Sequence, residues 1–560
     1  MMMVNSMTLF IFACLSGHLV LADTASLRQK FTALKIDAVF PGDLNYEKFS
    51  TPFNKRLSYM PAAIVFPSNT NAVASCVKVG VAEKFPISPR AGGHSYAAHG
   101  LGGTNGALII DLQRINQISV DSGGEATIGT GSRLGDIALS LNREGGRALP
   151  HGFYGLTSRQ WGLTIDQLLG HEVVLGNGSV ITTSKTVNSD LFWALRGAGS
   201  SYGIMTSMRF RTQTAPTQAT NFAYDWHLSE AEVAGALIKL QTYCMSNLPA
   251  QLGLTANLRK STQSGKVTFS FTGAWYGAQN AFSSVVQPFL SQMPTPAGNS
   301  VKTTDWITSL QGLAGDRALS TSGVDLTREH DTFYAKSITT PQSAPMSNSS
   351  IRAFSKYLAT QGIQSNTVWF VQLELYGGKN SAVTTVPADG TAFAQRAILF
   401  TIQFYASSYN FAPPYPAAGF ALLDNMVDSI VNNNPLGWSY GAYANYVDDR
   451  LSPVQWKSLY YKNHYKRLTQ IKGLYDPQNV FVHPQSITEP THNCETDDGV
   501  NHIIDPTHSD RGSLRPPQPT ADYVMSNSSS SKTNMPVFSV MDQSYPPLLS
   551  SDFLNKQIDS

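Results

Sequence analysis

Cysteine is nearly absent from this chain, with four in 560 residues. Cys14 falls in an apolar N-terminal stretch. That leaves Cys76, Cys244 and Cys494, an odd number without metal-ligand spacing, so a disulfide scaffold is excluded. Charge is sparse too. Only 14% of residues are charged, and 40 Lys and Arg nearly cancel 38 Asp and Glu. No basic run stands out, so nothing favours nucleic acid or an anionic membrane surface as partner. After the N-terminus no apolar run is long enough to span a bilayer.

What is present fits a loop-rich protein acting on a neutral substrate: 42% hydrophobic residues, 10% aromatic, 44 Gly and 30 Pro. The length allows two sizeable domains. Residues 1–22 read as a secretory signal peptide. Residues 7–21 are largely apolar, and Val20-Leu21-Ala22 offers a cleavage site, although the start lacks Lys and Arg. The alternative is an anchor or core helix, but Ser16, Gly17 and His18 interrupt a run already short for a bilayer. Asn177-Gly-Ser, Asn348-Ser-Ser and Asn527-Ser-Ser are glycan acceptor triplets, consistent with a secreted glycoprotein.

Hydrophobic spacing predicts helices over 71–81 and 134–141, and strands over 107–112 and 173–175. Asn177-Gly178 marks a hairpin turn before Val180-Ile181. Ser229-Glu-Ala-Glu232 is a capping box for a helix running to about 245. Strands then dominate, with Val267, Phe269 and Phe271 alternating with polar residues. Over 368–376, Trp369, Val371, Leu373 and Leu375 share one face; Gln372 and Glu374 share the other with Val368, Phe370 and Tyr376. Ile398, Phe400, Ile402 and Phe404 alternate with Gln403 in the same way. One apolar face against helices and one mixed face on a cavity explains the pattern; a polar face in plain solvent explains it as well. Ser452 and Pro453 start a further helical region, which Asp476-Pro477 stops. Residues 488–560, rich in Ser, Pro, Asn and Asp, read as a disordered tail.

The chemistry concentrates in Pro89-Arg-Ala-Gly-Gly-His-Ser-Tyr96. Gly92 and Gly93 let the backbone approach a ligand, and successive N–H groups in such a turn form a nest for phosphate oxygens. His94 then places an imidazole beside whatever the loop cradles. A structural histidine after a glycine turn is the plainer alternative.

Further motifs change that balance: Trp161-Gly-Leu-Thr-Ile-Asp166, Asp190-Leu-Phe-Trp-Ala-Leu-Arg-Gly-Ala-Gly199, Tyr202-Gly-Ile204, Tyr443-Ala-Asn-Tyr446, Tyr475-Asp-Pro-Gln-Asn-Val-Phe481 and Pro484-Gln-Ser-Ile487. In this order they resemble the FAD-linked oxidases of the berberine-bridge-enzyme and glucooligosaccharide-oxidase type. The resemblance implies an α+β fold: a two-part, PCMH-type FAD-binding domain of the vanillyl-alcohol oxidase class plus an antiparallel-sheet substrate domain. The expected boundaries are 23–215 for the FAD-binding domain, 216–439 for the substrate domain, and 440–487 for a berberine-bridge-like segment returning to the first.

The resemblance also implies roles. FAD would be bound covalently through His94, with Arg90, Gly92, Gly93 and Ser95 lining its pyrophosphate. Ile204, after Gly203, would meet the adenine through its backbone. Tyr446 would be the general base, tuned by Glu374, where sugar oxidases tend to have Asp. Tyr96, Gln372 and Gln403 would face the substrate. The implied reaction oxidises the C1 hydroxyl of a reducing oligosaccharide to a lactone while O2 becomes H2O2; no metal is implied. Two other functions stay open: oxidation of a phenol, alkaloid or polyketide by the same fold, and a non-catalytic relic.

The relic is considered because Gly152 and Phe153 run directly into Tyr154-Gly-Leu-Thr-Ser-Arg159. Members of this family usually carry a Cys-Pro segment and a glycine-rich turn there, including the cysteine of a second flavin bond. Bicovalent attachment through that cysteine is therefore excluded for this chain. Intact motifs on both sides point to a splicing error in the gene model. Lys462 and His464 stand where Gly and Asn are usual, which bears on the flavin pocket.

Overall fold

The computed structural model describes residues 24–150, 155–325 and 330–488. The expected leader, Cys494, Asn527 and the junction at 151–154 lie outside them, as does the tail beyond residue 488.

Two small sheets occupy the first part of the chain. In the four-stranded sheet the spatial order is Asp37–Val39, Ala63–Phe66, Leu108–Asp111, Ile87–Arg90, and the last three are parallel. Ala63–Phe66 and Leu108–Asp111 are buried throughout, as parallel strands covered on both faces must be, so they read as unbroken apolar runs. Helix Thr70–Ala82 covers the sheet, and the Asn69 side chain caps it by accepting from the Ala72 N–H. The second sheet is antiparallel, in the order Ile118–Val120, Glu125–Gly129, Ile204–Arg211, Leu168–Val174, Val180–Ser184. The hairpin predicted at Asn177-Gly178 joins its last two strands, with Gly178 at φ +75°.

A seven-stranded antiparallel sheet follows, in the order Gly298–Thr304, Ala219–Leu228, Val267–Trp275, Leu252–Lys260, Val368–Leu375, Ile398–Ser407, Phe333–Pro341. Leu258, Phe271, Val371, Leu373, Ile402 and Phe404 belong to one core cluster with helices Glu230–Cys244, Asn348–Tyr357 and Ala417–Val431. The alternation read from sequence therefore has its apolar half on helices. The register puts Asn257, Gln372, Gln403 and Ser337 in one row across four strands, and Thr255, Glu374, Thr401 and Thr339 in the next.

The C-terminal segment packs back on the first sheet. Phe481 bridges to Ile87. The buried Lys472 ammonium donates to Asp476 (2.6 Å), the Ser201 carbonyl (2.6 Å) and the Phe481 carbonyl (3.1 Å). Asp476 in turn accepts from the Val480 and Phe481 N–H groups. Asp476 thus stops the helix by gathering the backbone of the next turn.

The helical region after Ser452 is not one continuous α-helix. It runs Pro453–Trp456, Lys457–Tyr461, Lys462–His464 and Tyr465–Tyr475, each stretch with its own helical winding. The break is at Lys462, whose φ is +51° and ψ −131°, a region that side chains with a Cβ rarely adopt. Lys462→Gly is expected to stabilise the protein by about 1 kcal/mol, by releasing that strain. Urea unfolding checks it; an unchanged or lowered midpoint contradicts it.

Candidate active site

Strand Ile87–Arg90 delivers the chain into the loop at 91–95, where Gly93 has φ +79°. Arg90 braces this loop from beneath. Its Nε donates to Asp111 at 2.6 Å and its Nη1 to the Phe49 carbonyl at 2.5 Å, and its stem lies 3.3–3.6 Å from where a Cβ on Gly100 or Gly93 would stand. Ser95 Oγ accepts from the His99 N–H at 3.1 Å. The His94 ring lies 4.7 Å from Phe53, centroid to centroid.

A cavity with about 1350 Å³ of atom-free space, solvent at its mouth included, runs beside this loop. Arg90, His94, Ser95, Gly203 and Ile204 line it together, as do Leu112, Thr130, Met205, Asn445, Tyr460 and His483. A Cβ on Gly203 would stand 2.8 Å from the Val173 side chain and 2.9 Å from the Val174 carbonyl, so glycine is required there. Gly92 and Gly93 line a second cavity on another side of the loop, with Phe53, His94, Lys48 and Arg133. A cavity of this size with a glycine loop, an imidazole and apolar side chains along its lining suits a dinucleotide cofactor. The two described cysteines, Cys76 and Cys244, are buried in core clusters and line neither cavity.

Beside this cavity the sheet's mixed face meets the turn carrying Tyr446. The neighbours Ala444, Asn445 and Val447 line the cavity, and Tyr446 itself is buried. Its hydroxyl donates to Glu374 Oε1 at 2.7 Å, and Gln372 Nε2 donates to the same oxygen at 2.9 Å. Gln403 Nε2 donates to the Tyr96 hydroxyl at 2.8 Å. The Tyr96 and Tyr446 rings are near parallel at 5.9 Å, and Tyr443 stands edge-on to Tyr446 at 5.0 Å. All five residues expected at the reacting end are thus brought into one buried cluster.

Burial governs its electrostatics. Desolvation pushes the Glu374 carboxyl up to about 8, although hydrogen bonds from Tyr446 and Gln372 pull the other way. Tyr446 is held well above the ordinary phenol value by burial first and by Glu374 second. At neutral pH both groups keep their protons, and the phenol is not a standing phenolate. Among the described residues, no group hydrogen-bonds the buried Glu374 Oε2.

Three findings were not legible in sequence. Asn54 is fully buried; its Nδ2 donates to the Tyr96 carbonyl (2.8 Å) and the Phe333 carbonyl (3.1 Å), and its Oδ1 accepts from the Phe333 N–H. It thereby fastens the Tyr96 backbone to the sheet's edge strand. Arg159 is fully buried and donates to the carbonyls of Leu248, Pro249, Leu252, Gly377 and Lys379. It anchors the segment after the 151–154 junction to the sheet. His464 sits with Nδ1 3.2 Å from the Ala392 carbonyl and its ring edge-on to Trp193. It does not line the cavity.

Residues 61–184 match the family model for an FAD binding domain, and residues 442–488 match the berberine and berberine-like model. The glucooligosaccharide oxidase of Sarocladium strictum is 33% identical over 78% of this chain and 89% of its own length. The chitooligosaccharide oxidase of Gibberella zeae is 32% identical over 81% of this chain and 93% of its own. Among solved structures, the Acremonium strictum glucooligosaccharide oxidase, described as carrying 6-S-cysteinyl, 8α-N1-histidyl FAD, superposes with a TM-score of 0.76. It is 31% identical, over 83% of this chain and 99% of that one.

Proposed function

The chain belongs to the FAD-linked, berberine-bridge-like oxidases, and on that premise we propose that it oxidises the anomeric carbon of a reducing oligosaccharide to a lactone with O2 as acceptor. The observation that carries this reading is the cluster of Gln372, Glu374 and Gln403, from two adjacent rows of one sheet face, against Tyr446 and Tyr96. Several buried amide and carboxyl groups on one wall match a ligand with several hydroxyls, and leave unpaired polar groups with one that has few.

FAD, when bound, would supply a two-electron acceptor for the hydride of sugar C1, with O2 as the final acceptor. The chain's residues do the rest. The loop at 91–95 with Gly203 and Ile204 holds the cofactor, and His94 is the covalent attachment point. Gln403 fixes the Tyr96 hydroxyl, and both orient the sugar. Tyr446 removes the anomeric hydroxyl proton as C1 is oxidised. Its phenol donates to Glu374, so with the Glu374 carboxyl ionised the proton gained on one side is matched by one handed on to that carboxylate at the other. Residues 1–22 act as the leader of a secreted enzyme.

The test of substrate is peroxide release with cellobiose or chitobiose. Peroxide with phenols, and silence across the sugars, would move the reading to secondary-metabolite oxidation; no flavin reduction by either class would favour the relic. His94 is tested by acid precipitation. The protein should give a yellow pellet, and His94→Ala a colourless one; equal colour in both would remove His94 as the attachment point.

A further inference from the structure

We propose that His99 and His483 together form the cationic contact for the FAD diphosphate, taking up a proton as the cofactor binds. The proposal rests on FAD being the occupant of the cavity beside the 91–95 loop.

The argument starts from charge. Among the described residues lining that cavity, the basic side chains are Arg90, His94, His99 and His483. Arg90 is engaged by Asp111 and the Phe49 carbonyl, so its charge is already balanced. His94 is assigned to the flavin ring. A diphosphate entering the cavity therefore meets loop N–H groups but no uncompensated cation, unless one of the two remaining imidazoles supplies it.

Their arrangement suits that task. The rings stack at 4.1 Å with 29° between their planes, one from the segment following Ser95 and the other from the C-terminal segment. The Gln485 N–H points at His483 Nδ1 (3.4 Å), which places the ring hydrogen on Nε2, facing Ser200 Oγ at 3.1 Å. The groups around the pair are few. Asp449 acts on His99 but is itself tied to Arg56, and Lys472 acts on His483 but is tied to Asp476. Arg90 passes under Gly100 beside His99, and Tyr460 and Tyr461 line the same cavity. Burial keeps both rings neutral: His99 is pushed down to about 4, and His483 lies well below its usual value. Two phosphate charges at contact distance reverse the balance for one ring. A second proton would repel the first across a 4.1 Å stack, so the pair takes up one and not two.

The experiment is calorimetric titration of FAD into the full chain carrying His94→Ala, so that binding stays reversible. It is run at pH 7.5 in two buffers of unlike ionisation heat. The expected result is uptake of about one proton per FAD, and an affinity that rises nearly tenfold for each pH unit lowered between 8 and 6. Riboflavin, which has no diphosphate, should bind without proton uptake. Adding His99→Gln and His483→Gln should remove the uptake, flatten the pH dependence and weaken FAD binding tenfold or more. FAD binding without proton uptake overturns the proposal, as does equal uptake with riboflavin; both are read without altering either imidazole. Failure of FAD to bind at any concentration would instead overturn the assignment of the cavity.

Discussion

Tyr446→Phe should lower kcat by about three orders of magnitude while leaving bound flavin unchanged. General-base assistance typically contributes a factor on the order of 10² to 10⁴. The ring's packing against Tyr96 and Tyr443 survives the substitution, and the hydroxyl that donates to Glu374 is lost. Rapid-reaction measurement of flavin reduction checks it; a variant reducing flavin at the parent rate would refute the assignment. The partner carboxyl adds a pH signature. Glu374 can accept a proton from Tyr446 only when ionised, and burial holds its proton up to about 8. Activity should therefore rise with pH and level off above about 8, and Glu374→Gln should be slow and lack that limb. The stability sign is opposite. The folded state holds this proton more tightly than the unfolded chain, so the contribution is full below the ordinary value of 4.5 and fades as pH rises through about 8. Glu374→Gln should then gain stability relative to the parent at pH 9.

The second large effect is on folding. Arg159→Ala should cost on the order of 4 kcal/mol, read as a drop in the urea midpoint. Five carbonyls at 2.8–3.4 Å converge on one buried guanidinium, and removing it strands most of them away from water. Arg159→Lys should recover only part, because an ammonium cannot reach so many acceptors in a planar fork. A loss under about 1 kcal/mol for Arg159→Ala would mean that water or a local shift replaces those donors.

The sequence carried the local rules well and the long-range partnerships poorly. Alternation over 368–376 and 398–405 placed Gln372, Glu374 and Gln403 on one side, because a strand's period of two is a property of the segment alone. The Asn177-Gly178 hairpin and the capping box at Ser229 are equally local. Arg90, expected at the pyrophosphate, lines the cavity; its charge is balanced by Asp111, twenty-one residues away, and nothing in the spacing announces that pair. Asn54 and Arg159 were overlooked for the same reason. Their partners are main-chain groups up to 279 residues distant, and main-chain groups leave no residue signature. Lys462 shows the reverse. The family's preference for glycine was legible as a departure, but its physical cause, a left-handed φ, became visible only in the folded chain.

The most direct test of the whole account is the visible spectrum of the purified protein under anaerobic conditions, before and after adding cellobiose. The account predicts an oxidised flavin band that bleaches with the sugar and returns on admitting air, with one peroxide formed per flavin. A flavin band that persists with cellobiose, chitobiose and every other reducing sugar tried would contradict it.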